Sequence, residues 1–427
     1  MIIKNVNIFT NDHQLPFIKK GYIQFDNEGI KAVGTVGNMN APSGEKIIDG
    51  HDGIVFPALV NAHGSIYTSL RSFHNEVISD SIGGVNFFKS LIEQAKDKSW
   101  EKLNLHTIKT AIAKSLSYGI TTLYGPIFYS ENLSIKLLQK MAYEYNIQLS
   151  IGPLVFKDNI NYVVDNWVSE KEDAFFHPTV YVAELPYFSK EELDNLKKLK
   201  LNGIDLNLII LDMEQIDKES LSLWGEHIID RIIEAELLGS GTGLIYGGNL
   251  TETDKDILAN RDLFVIKSPR SELYSGIFEP NVSDLLGRGM KVCLGSGFLD
   301  FYVQNEVQAL ILGERQSKHF SQRVLDYEVQ KLLFTNNYKL LEKHFGKVSG
   351  MLREGYPSDI VFAKKKNDFS CLELINTNFT SFMNNILKAF DITDVWSNGD
   401  KVLSNGKPTK FSKKEIKDIY KNVELFD

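Results

Sequence analysis

Cysteine is scarce in this chain, whose 427 residues include only Cys293 and Cys371. Two cysteines cannot form the set of bridges that holds small secreted domains together, and no Cys/His zinc spacing is present. Cys293 lies in an apolar run, where a reduced cysteine packs as a core residue. We therefore expect a cytoplasmic protein whose fold depends on its hydrophobic core.

Long apolar runs and an excess of positive charge are also absent. No stretch approaches the roughly 20 apolar residues that cross a bilayer, and the N-terminus lacks the pattern of a signal peptide. The chain carries 47 basic and 55 acidic side chains, which gives a net charge of −8. Because phosphate backbones and anionic lipids repel an acidic chain, we expect neither nucleic acid nor a membrane as a partner.

The two ends of the chain show the pattern of one small β domain. Strand patterns occur at 2–9 and 20–36 near the start and at 358–363 near the end. Two Asn-Gly hairpin turns follow, beginning at Asn398 and Asn405. This arrangement predicts a composite β-sandwich that is built from both chain ends.

Strand and helix patterns alternate between these ends. Eight apolar runs have the length of strands, and they lie at 54–60, 120–124, 148–153, 179–185, 204–211, 243–246, 263–267 and 291–295. Eight βα units in about 250 residues predict an α/β protein with a (β/α)8 barrel, whose carboxyl strand ends form the active face. One long amphipathic helical segment is predicted over 218–238. The predicted domains are the barrel (56–349), the β-sandwich (1–55 and 350–410) and a C-terminal helix (411–427).

Five fragments occur in a characteristic order along the chain. They are PALVNAH at 57–63, YGITT at 118–122, SPRSELYSG at 268–276, RGMKVCLGS at 288–296 and GYPSDIVF at 355–362. Together they resemble the amidohydrolase superfamily, nearest its cytosine deaminase, chlorohydrolase and SsnA-like branch. The resemblance covers nearly the whole chain, and it implies the same barrel with a sandwich formed by both ends.

The resemblance also implies where a metal would be held. In that family two histidines after strand 1, one after strand 5, one after strand 6 and an aspartate after strand 8 bind a cation that activates water. His63 is the only one of these ligands that is matched. The other four positions are occupied by Ser65, Leu211, Tyr246 and Gly297. One imidazole cannot make the three-ligand site of a catalytic zinc, so we expect no metal ligand set here.

The main hypothesis is a protein of this family that has lost most of its metal ligands and is catalytically silent. It would bind a small nitrogenous ligand, or act as a homodimer or as the partner of an active paralogue, without a cofactor. The alternative is a hydrolase or deaminase that acts on C–N bonds of a cyclic nitrogenous substrate with a rebuilt site, with zinc or iron as the alternative cofactor. A third hypothesis is a structural subunit whose barrel mouth is plugged by Tyr246, Phe298 and Tyr274.

Candidate site residues follow from the strand ends. Glu214 falls where the family has a proton-shuttling glutamate, so Glu214 and His63 are the catalytic candidates implied by the resemblance. The predicted ligand pocket comprises Ser65, Asp212, Tyr246, Asn249, Arg270 and Gly297. Arg270 would hold a carboxylate or carbonyl oxygen, or else support its own loop.

Three further side chains are weaker candidates. Asp300 would replace a lost carboxylate if its loop bends inward. Arg71 and His74 lie in a segment that covers the substrate pocket in the family, and they would contact an anionic ligand there.

Overall fold

The computed structural model describes residues 1–69, 100–128, 133–167, 173–316, 324–366, 383 and 389–421. These residues form an eight-stranded sheet and a nine-stranded sheet, with helices packed around the first. The strands are β1 (Ile2–Phe9), β2 (Phe17–Asp26), β3 (Gly29–Thr35), β4 (Ile47–Asp49), β5 (Ile54–Pro57), β6 (Leu59–Asn61), β7 (Ile120–Ile127), β8 (Gln148–Val155), β9 (Thr179–Val182), β10 (Asp205–Asp212), β11 (Gly243–Gly248), β12 (Phe264–Lys267), β13 (Lys291–Leu294), β14 (Ile360–Lys365), β15 (Phe390–Ser397), β16 (Asp400–Ser404) and β17 (Lys407–Pro408).

Helices follow most of the barrel strands. The α-helices are α1 (Trp100–Ser117), α2 (Ile135–Tyr145), α3 (Ile160–Asn166), α4 (Lys190–Leu201), α5 (Met213–Trp224), α6 (Ile228–Glu234), α7 (Glu252–Ala259), α8 (Pro269–Tyr274), α9 (Val282–Gly287), α10 (Val303–Gln316), α11 (Asp326–Gln330), α12 (Asn337–Phe345) and α13 (Lys413–Lys421). Short 3-10 turns occur at Val36–Asn38, Ile66–Ser69 and Leu185–Tyr187, and a π-helical stretch covers Lys331–Asn336.

The strands from β6 to β13 form the predicted barrel. They pair in chain order, and every pairing is parallel. Between the last strand and the first, the amide of Ala62 donates to the carbonyl of Leu294 at 3.4 Å. The Asn337 side chain donates to the carbonyls of Val60 and Leu294, at 2.8 Å each, and so joins both strands. The (β/α)8 prediction is confirmed, and the seam between β6 and β13 is held largely by side-chain and loop contacts.

The nine-stranded sheet is the predicted sandwich domain. Its strand order is β17-β16-β15-β14-β5-β1-β2-β3, with β4 paired to β1, so the two chain ends meet where β5 lies beside β14. Asn398 and Gly399 have φ angles of +50° and +79°, as a type I′ hairpin turn requires. The Phe25 and Trp396 rings, one from each chain end, pack edge to face with centroids 5.3 Å apart.

The predicted strand over 54–60 is two strands in different sheets. β5 belongs to the sandwich and β6 to the barrel, and only Ala58 separates them. The Ala58 amide donates to the carbonyl of Asp359 at 3.0 Å, and its carbonyl accepts a hydrogen bond from the Tyr338 hydroxyl. Because every residue on both sides is buried, the sequence shows one continuous apolar run.

The predicted long helix over 218–238 is also wrong as a single element. It is α5 followed by α6, and α5 ends at Gly225, which has a φ of +73°. The Gly225 amide donates to the carbonyl of Leu221 at 2.9 Å, which is the ordinary glycine termination of a helix. The helical period continues across the break, so periodicity alone does not reveal it.

Two apolar cores correspond to the two sheets. The larger contains the barrel strands and their helices, and the free cysteine Cys293 is buried in it. The smaller lies under β1, β2 and β14. Among the described helices, none combines the length and the apolar character that crossing a bilayer requires.

Candidate active site

The mouth of the barrel is fixed at the seam between β6 and β13. His63 follows β6 and Gly297 follows β13, and the two segments exchange backbone hydrogen bonds. The Gly297 amide donates to the carbonyl of His63 at 2.9 Å, and the Ser65 amide donates to the carbonyl of Gly297 at 2.7 Å. Both His63 and Ser65 are buried. The catalytic candidate His63 and the predicted pocket residues Ser65 and Gly297 are therefore neighbours.

His63 and Tyr246 form a buried pair at this mouth. The Nε2 atom of His63 lies 3.3 Å from the Tyr246 hydroxyl, and the two rings are perpendicular with centroids 5.6 Å apart. The Tyr181 ring lies on the other side, with its centroid 5.9 Å from that of His63. The Nδ1 atom of His63 has no hydrogen-bond partner within the described residues. Tyr246 thus lies directly beside His63, at the position where the resemblance implies a metal-binding histidine.

Burial keeps this pair uncharged. It lowers the pKa of His63 to about 3, because a protonated imidazole is poorly stabilised away from water. Burial also raises the pKa of the Tyr246 phenol above its ordinary value, and the carboxyl groups of Glu272 and Glu306 add to that rise. At neutral pH the pair therefore contains a neutral imidazole and a protonated phenol, which exchange a hydrogen bond without forming an ion pair.

Glycine is required at position 297 by the local backbone. Gly297 has a φ of +65°, and a Cβ atom there would overlap the Ser271 side chain. The Ser271 hydroxyl accepts a hydrogen bond from the amide of Phe298 at 3.0 Å, so it is not free to move aside. This structure has no room for an aspartate at the position where the resemblance would place one.

At the end of β10, the side chains do not face His63. Asp212 instead begins helix α5. Leu211 packs against the apolar core, and an Asp212 carboxylate oxygen accepts from the amide of Gln215 at 3.3 Å as the N-cap of α5. Glu214 is exposed and pairs with Lys218 at 2.6 Å, one turn along the same helix. The structure does not bring Glu214 to the buried pair, and its catalytic role stays a prediction.

The remaining pocket candidates lie on loops with partners of their own. Asn249 is exposed, and its amide donates to Glu279 at 2.8 Å. Arg270 binds the carboxylate of Asp300 at 2.6 Å, and the Arg270 amide donates to Glu306 at 2.8 Å. In this arrangement Arg270 supports its loop, and the Asp300 carboxylate faces Arg270. Arg71 and His74 lie outside the described residues.

A buried ion pair behind the mouth was not predicted. Lys267, the last residue of β12, has a fully buried ammonium group 2.7 Å from the carboxylate of Glu272 in α8. The same ammonium donates to the carbonyl of Tyr246 at 3.1 Å. Lys267 thus fixes the backbone that carries the Tyr246 hydroxyl. The one signal in the sequence was a lysine at the end of an otherwise apolar strand, and that pattern is also typical of an exposed strand end.

The described mouth residues do not fit a metal held by three protein ligands. His63 is the histidine there, and its ring nitrogen faces the Tyr246 hydroxyl and not a carboxylate. Across the described part of the chain, one group of three His, Cys, Asp or Glu side chains has donor atoms that converge, and it comprises His177, Asp205 and His344. These residues lie before β9, at the first residue of β10 and near the end of α12. That places them at the amino ends of the strands, opposite the mouth. No sequence motif connects three positions so far apart, so this group could not be recognised from the sequence.

Comparisons with known proteins find curated relatives that are similar along most or all of the chain. No family model matches the sequence. The 5-methylthioadenosine/S-adenosylhomocysteine deaminase of Halothermothrix orenii is 25% identical, over 100% of this chain and 98% of its own length. The alignment therefore includes the residues of both the barrel and the sandwich.

Solved structures share the fold. A mutant of atrazine chlorohydrolase from Arthrobacter aurescens, complexed with zinc and atraton, superposes with a TM-score of 0.79 at 14% identity and covers 99% of both chains. An adenosine deaminase from Xanthomonas campestris with bound zinc gives a TM-score of 0.76 at 15% identity, over 100% of this chain and 98% of its own. Both of these solved structures contain zinc. For this chain, the expectation of no cofactor lacks support, because the described residues include one group of side chains that could hold a metal ion.

The fold and the whole-length similarity agree with the order of the five sequence fragments. The eight-stranded barrel, the sheet formed by both chain ends and the position of His63 after the first barrel strand all occur as the resemblance implies. These findings support the resemblance of the chain to the amidohydrolase superfamily.

Proposed function

We propose that this protein is a hydrolase of the deaminase type, which acts on a C–N bond of a cyclic nitrogenous substrate at the barrel mouth. One observation carries the proposal: the similarity to the Halothermothrix orenii deaminase runs through 100% of this chain. A relative of the same name from Clostridium tetani is 25% identical over 69% of the chain. Aminopurine nucleosides and their thioether derivatives are therefore the first substrates to test.

The proposed chemistry replaces an exocyclic amino group by an oxygen from water and releases ammonia. It needs a group that accepts a proton from water and a group that returns one to the leaving amine. In our proposal His63 handles the proton through its Nδ1 atom, which has no hydrogen-bond partner among the described residues. Burial lowers the pKa of His63 to about 3, so the step requires water that enters with the substrate to raise that pKa toward neutrality. Tyr246 orients that ring through the 3.3 Å contact at Nε2. Family enzymes use a cation to activate water, and since the described mouth residues do not fit one, we assign it no step.

Two residues behind the pair hold it in place. The Lys267 ammonium binds the carbonyl of Tyr246, and Glu272 neutralises that ammonium at 2.7 Å. Because Tyr246 has a φ of +73°, its backbone needs such support to keep the phenol beside His63. Lys267 and Glu272 are positioning residues in this proposal.

The test is ammonia release by the full-length protein, purified with and without added zinc or iron. The panel comprises 5-methylthioadenosine, S-adenosylhomocysteine, adenosine, guanine and an aminotriazine. We expect turnover of at least one aminopurine and a loss of about 10²–10⁴-fold in kcat/KM for His63→Gln. Tyr246→Phe should lower kcat/KM as well, whereas Tyr338→Phe removes a buried hydroxyl at the barrel seam and should leave kcat/KM unchanged. Ammonia release from none of these compounds, under any metal condition, would contradict the proposal.

A catalytically silent binding protein is the second candidate. The observation that favours it is the mouth itself, where the described residues present a buried neutral pair and no converging metal ligands. Such a protein would bind a nitrogenous heterocycle without changing it. We then expect a purine nucleoside to raise Tm in proportion to its concentration, Tyr246→Phe to reduce that rise, and no ammonia to appear. Turnover that depends on His63 would exclude this candidate.

A further inference from the structure

We propose that the base of the barrel, at the end opposite the mouth, binds a divalent transition metal of the zinc class through His177, Asp205 and His344. The inference stands apart from the proposed function, because it concerns other residues at the other end of the strands. It is carried by the convergence of three side chains of the types that zinc prefers.

The donor atoms are already close to the spacing of a metal site. The Oδ2 atom of Asp205 lies 2.8 Å from Nε2 of His177 and 3.1 Å from Nε2 of His344. All three donor atoms lie within 4.8 Å of one another. A tetrahedral ion with bonds of about 2.0–2.2 Å holds its ligand atoms roughly 3.3 Å apart. The two distances to Asp205 are within about half an ångström of that spacing, so the carboxylate lies correctly between the two histidines.

The chemistry of the three ligands selects the class of metal. Two imidazoles and one carboxylate suit Zn²⁺ and its neighbours Fe²⁺ and Co²⁺, whereas Mg²⁺ and Ca²⁺ favour oxygen ligands alone. The His344 side chain is nearly buried, while those of His177 and Asp205 are each 17% exposed. A metal could therefore enter from solvent on the His177 side, and water would complete its coordination.

The competing explanation is a hydrogen-bonded His–Asp–His cluster without a metal. The two imidazole rings are stacked with centroids 4.2 Å apart and are parallel within 1°. Each imidazole nitrogen has its lone pair in the plane of its own ring, and two parallel stacked planes do not meet. One ring must therefore turn before both can bind the same ion. His177 is the ring that can turn, because it lies in the loop before β9 and is partly exposed, whereas His344 is packed beside Tyr124.

The metal would join three elements that are distant in the chain. His344 belongs to α12, whose first residue, Asn337, also binds the barrel seam. Asp205 begins β10, and His177 precedes β9. One ion would thus link α12 to the first residues of β9 and β10 at the base of the barrel. Metal binding should therefore increase stability.

The test uses the full-length protein after chelator treatment and dialysis. Zn²⁺ is titrated in competition with a chromophoric chelator, and Co²⁺ is titrated separately and followed by its visible absorption. We expect one Zn²⁺ at the base per chain and a higher Tm with Zn²⁺. The visible absorption of bound Co²⁺ should be that of an ion with a low coordination number. His177→Gln should weaken Zn²⁺ binding by at least about 100-fold, since the loss of even an outer-shell partner typically costs 10–100-fold. Glutamine can still donate to Asp205, so this variant keeps the hydrogen bond and should fold.

Two control variants locate the ion. His227→Gln disrupts another His–Asp pair, an exposed one in which His227 lies 2.7 Å from Asp217, and it should leave the affinity unchanged. His63→Gln removes the mouth histidine and should also leave base binding unchanged. Two metals per chain, one of which is lost in His177→Gln, would support the proposal equally. No bound metal in the unmodified protein, or a metal that His63→Gln removes and His177→Gln does not, would overturn it.

Discussion

The two ends of the barrel contain histidine in opposite settings. At the mouth, His63 is buried against the Tyr246 phenol and stays uncharged. At the base, His177 and His344 share one carboxylate oxygen of Asp205. The family resemblance assigns chemistry to the mouth, yet the described side chains with the character of metal ligands converge at the base. Fold membership therefore identifies the face to inspect, and the side chains alone decide what each end can bind.

The largest expected effect concerns the ion pair that supports the mouth. Lys267→Ala leaves the Glu272 carboxyl buried without its partner, and we expect the free energy of unfolding to fall by about 3–5 kcal/mol. Urea denaturation measures the change. The matched control is Lys218→Ala, which breaks an exposed pair with Glu214 and should cost no more than about 0.5 kcal/mol. Equal effects of the two variants would show that the mouth does not depend on a buried charge.

A second prediction concerns the glycine where the family has an aspartate. Gly297→Ala combines a positive φ with overlap on Ser271, and we expect a loss of stability of about 2 kcal/mol or more. Gly346→Ala is the control, since its φ is +63° and no atom lies within 4 Å of the added Cβ. It should cost about 1 kcal/mol, for conformation alone. If the two costs are equal, the mouth has room for a larger side chain, and the contrast with the base is weakened.

The pH dependence of stability should reveal a buried carboxyl group in α10, which follows the last barrel strand. Burial raises the pKa of Glu314 in α10 to about 7, above its unfolded value of about 4.5. Between these two values the folded state holds more protons than the unfolded state, so this group makes stability fall as pH rises. Glu314→Gln should remove that slope and raise the free energy of unfolding at pH 8 by about 1–3 kcal/mol.

A carboxyl group whose pKa is shifted in the opposite direction provides the control for this measurement. Glu415 pairs with Lys109 at 2.6 Å, which lowers the pKa of Glu415 to about 2. Its contribution is present above its unfolded pKa of about 4.5 and is lost as pH falls through the folded value. Glu415→Gln should therefore flatten only the acid limb of the denaturation profile. A change in the pH 5–7 range would contradict this assignment.

The smallest expected effect concerns His63, which should not take up a proton in the neutral pH range. His63 should keep the nuclear magnetic resonance signature of a neutral ring from pH 5 to pH 8, because burial lowers its pKa to about 3. His227 has its pKa raised by the neighbouring Asp217 and should gain a proton within that range. A His63 ring that titrates together with His227 would show that water reaches the mouth pair.

The sequence predicted the architecture well, because hydrophobic periodicity and turn residues act locally. The eight barrel strands and the Asn398-Gly399 hairpin occur as expected. Where apolar character continued across a boundary, the prediction failed: Ala58 separates two sheets, and Gly225 ends a helix inside one amphipathic segment.

The candidate site was harder to predict, because it depends on which side chains the fold brings together. The resemblance placed His63, Ser65 and Gly297 at two strand ends, and backbone hydrogen bonds join these segments at the mouth. It could not give Lys267, since a strand-end lysine has the same pattern whether it is exposed or paired with Glu272 in a buried position. His177 and His344 came from positions that no spacing rule connects.

The change of sheet at Ala58 has a consequence for how the chain folds as it is synthesised. β5 pairs with β14, which follows it by roughly 300 residues. If the chain is synthesised at about 5–20 residues per second, β14 emerges roughly 15–60 s after β5. By contrast β6, which only Ala58 separates from β5, can pair with β7 and begin the barrel much earlier. The sandwich is thus completed last, and an apolar strand edge stays uncovered until then. Until β14 emerges, this edge presents unpaired backbone groups that could pair with another chain.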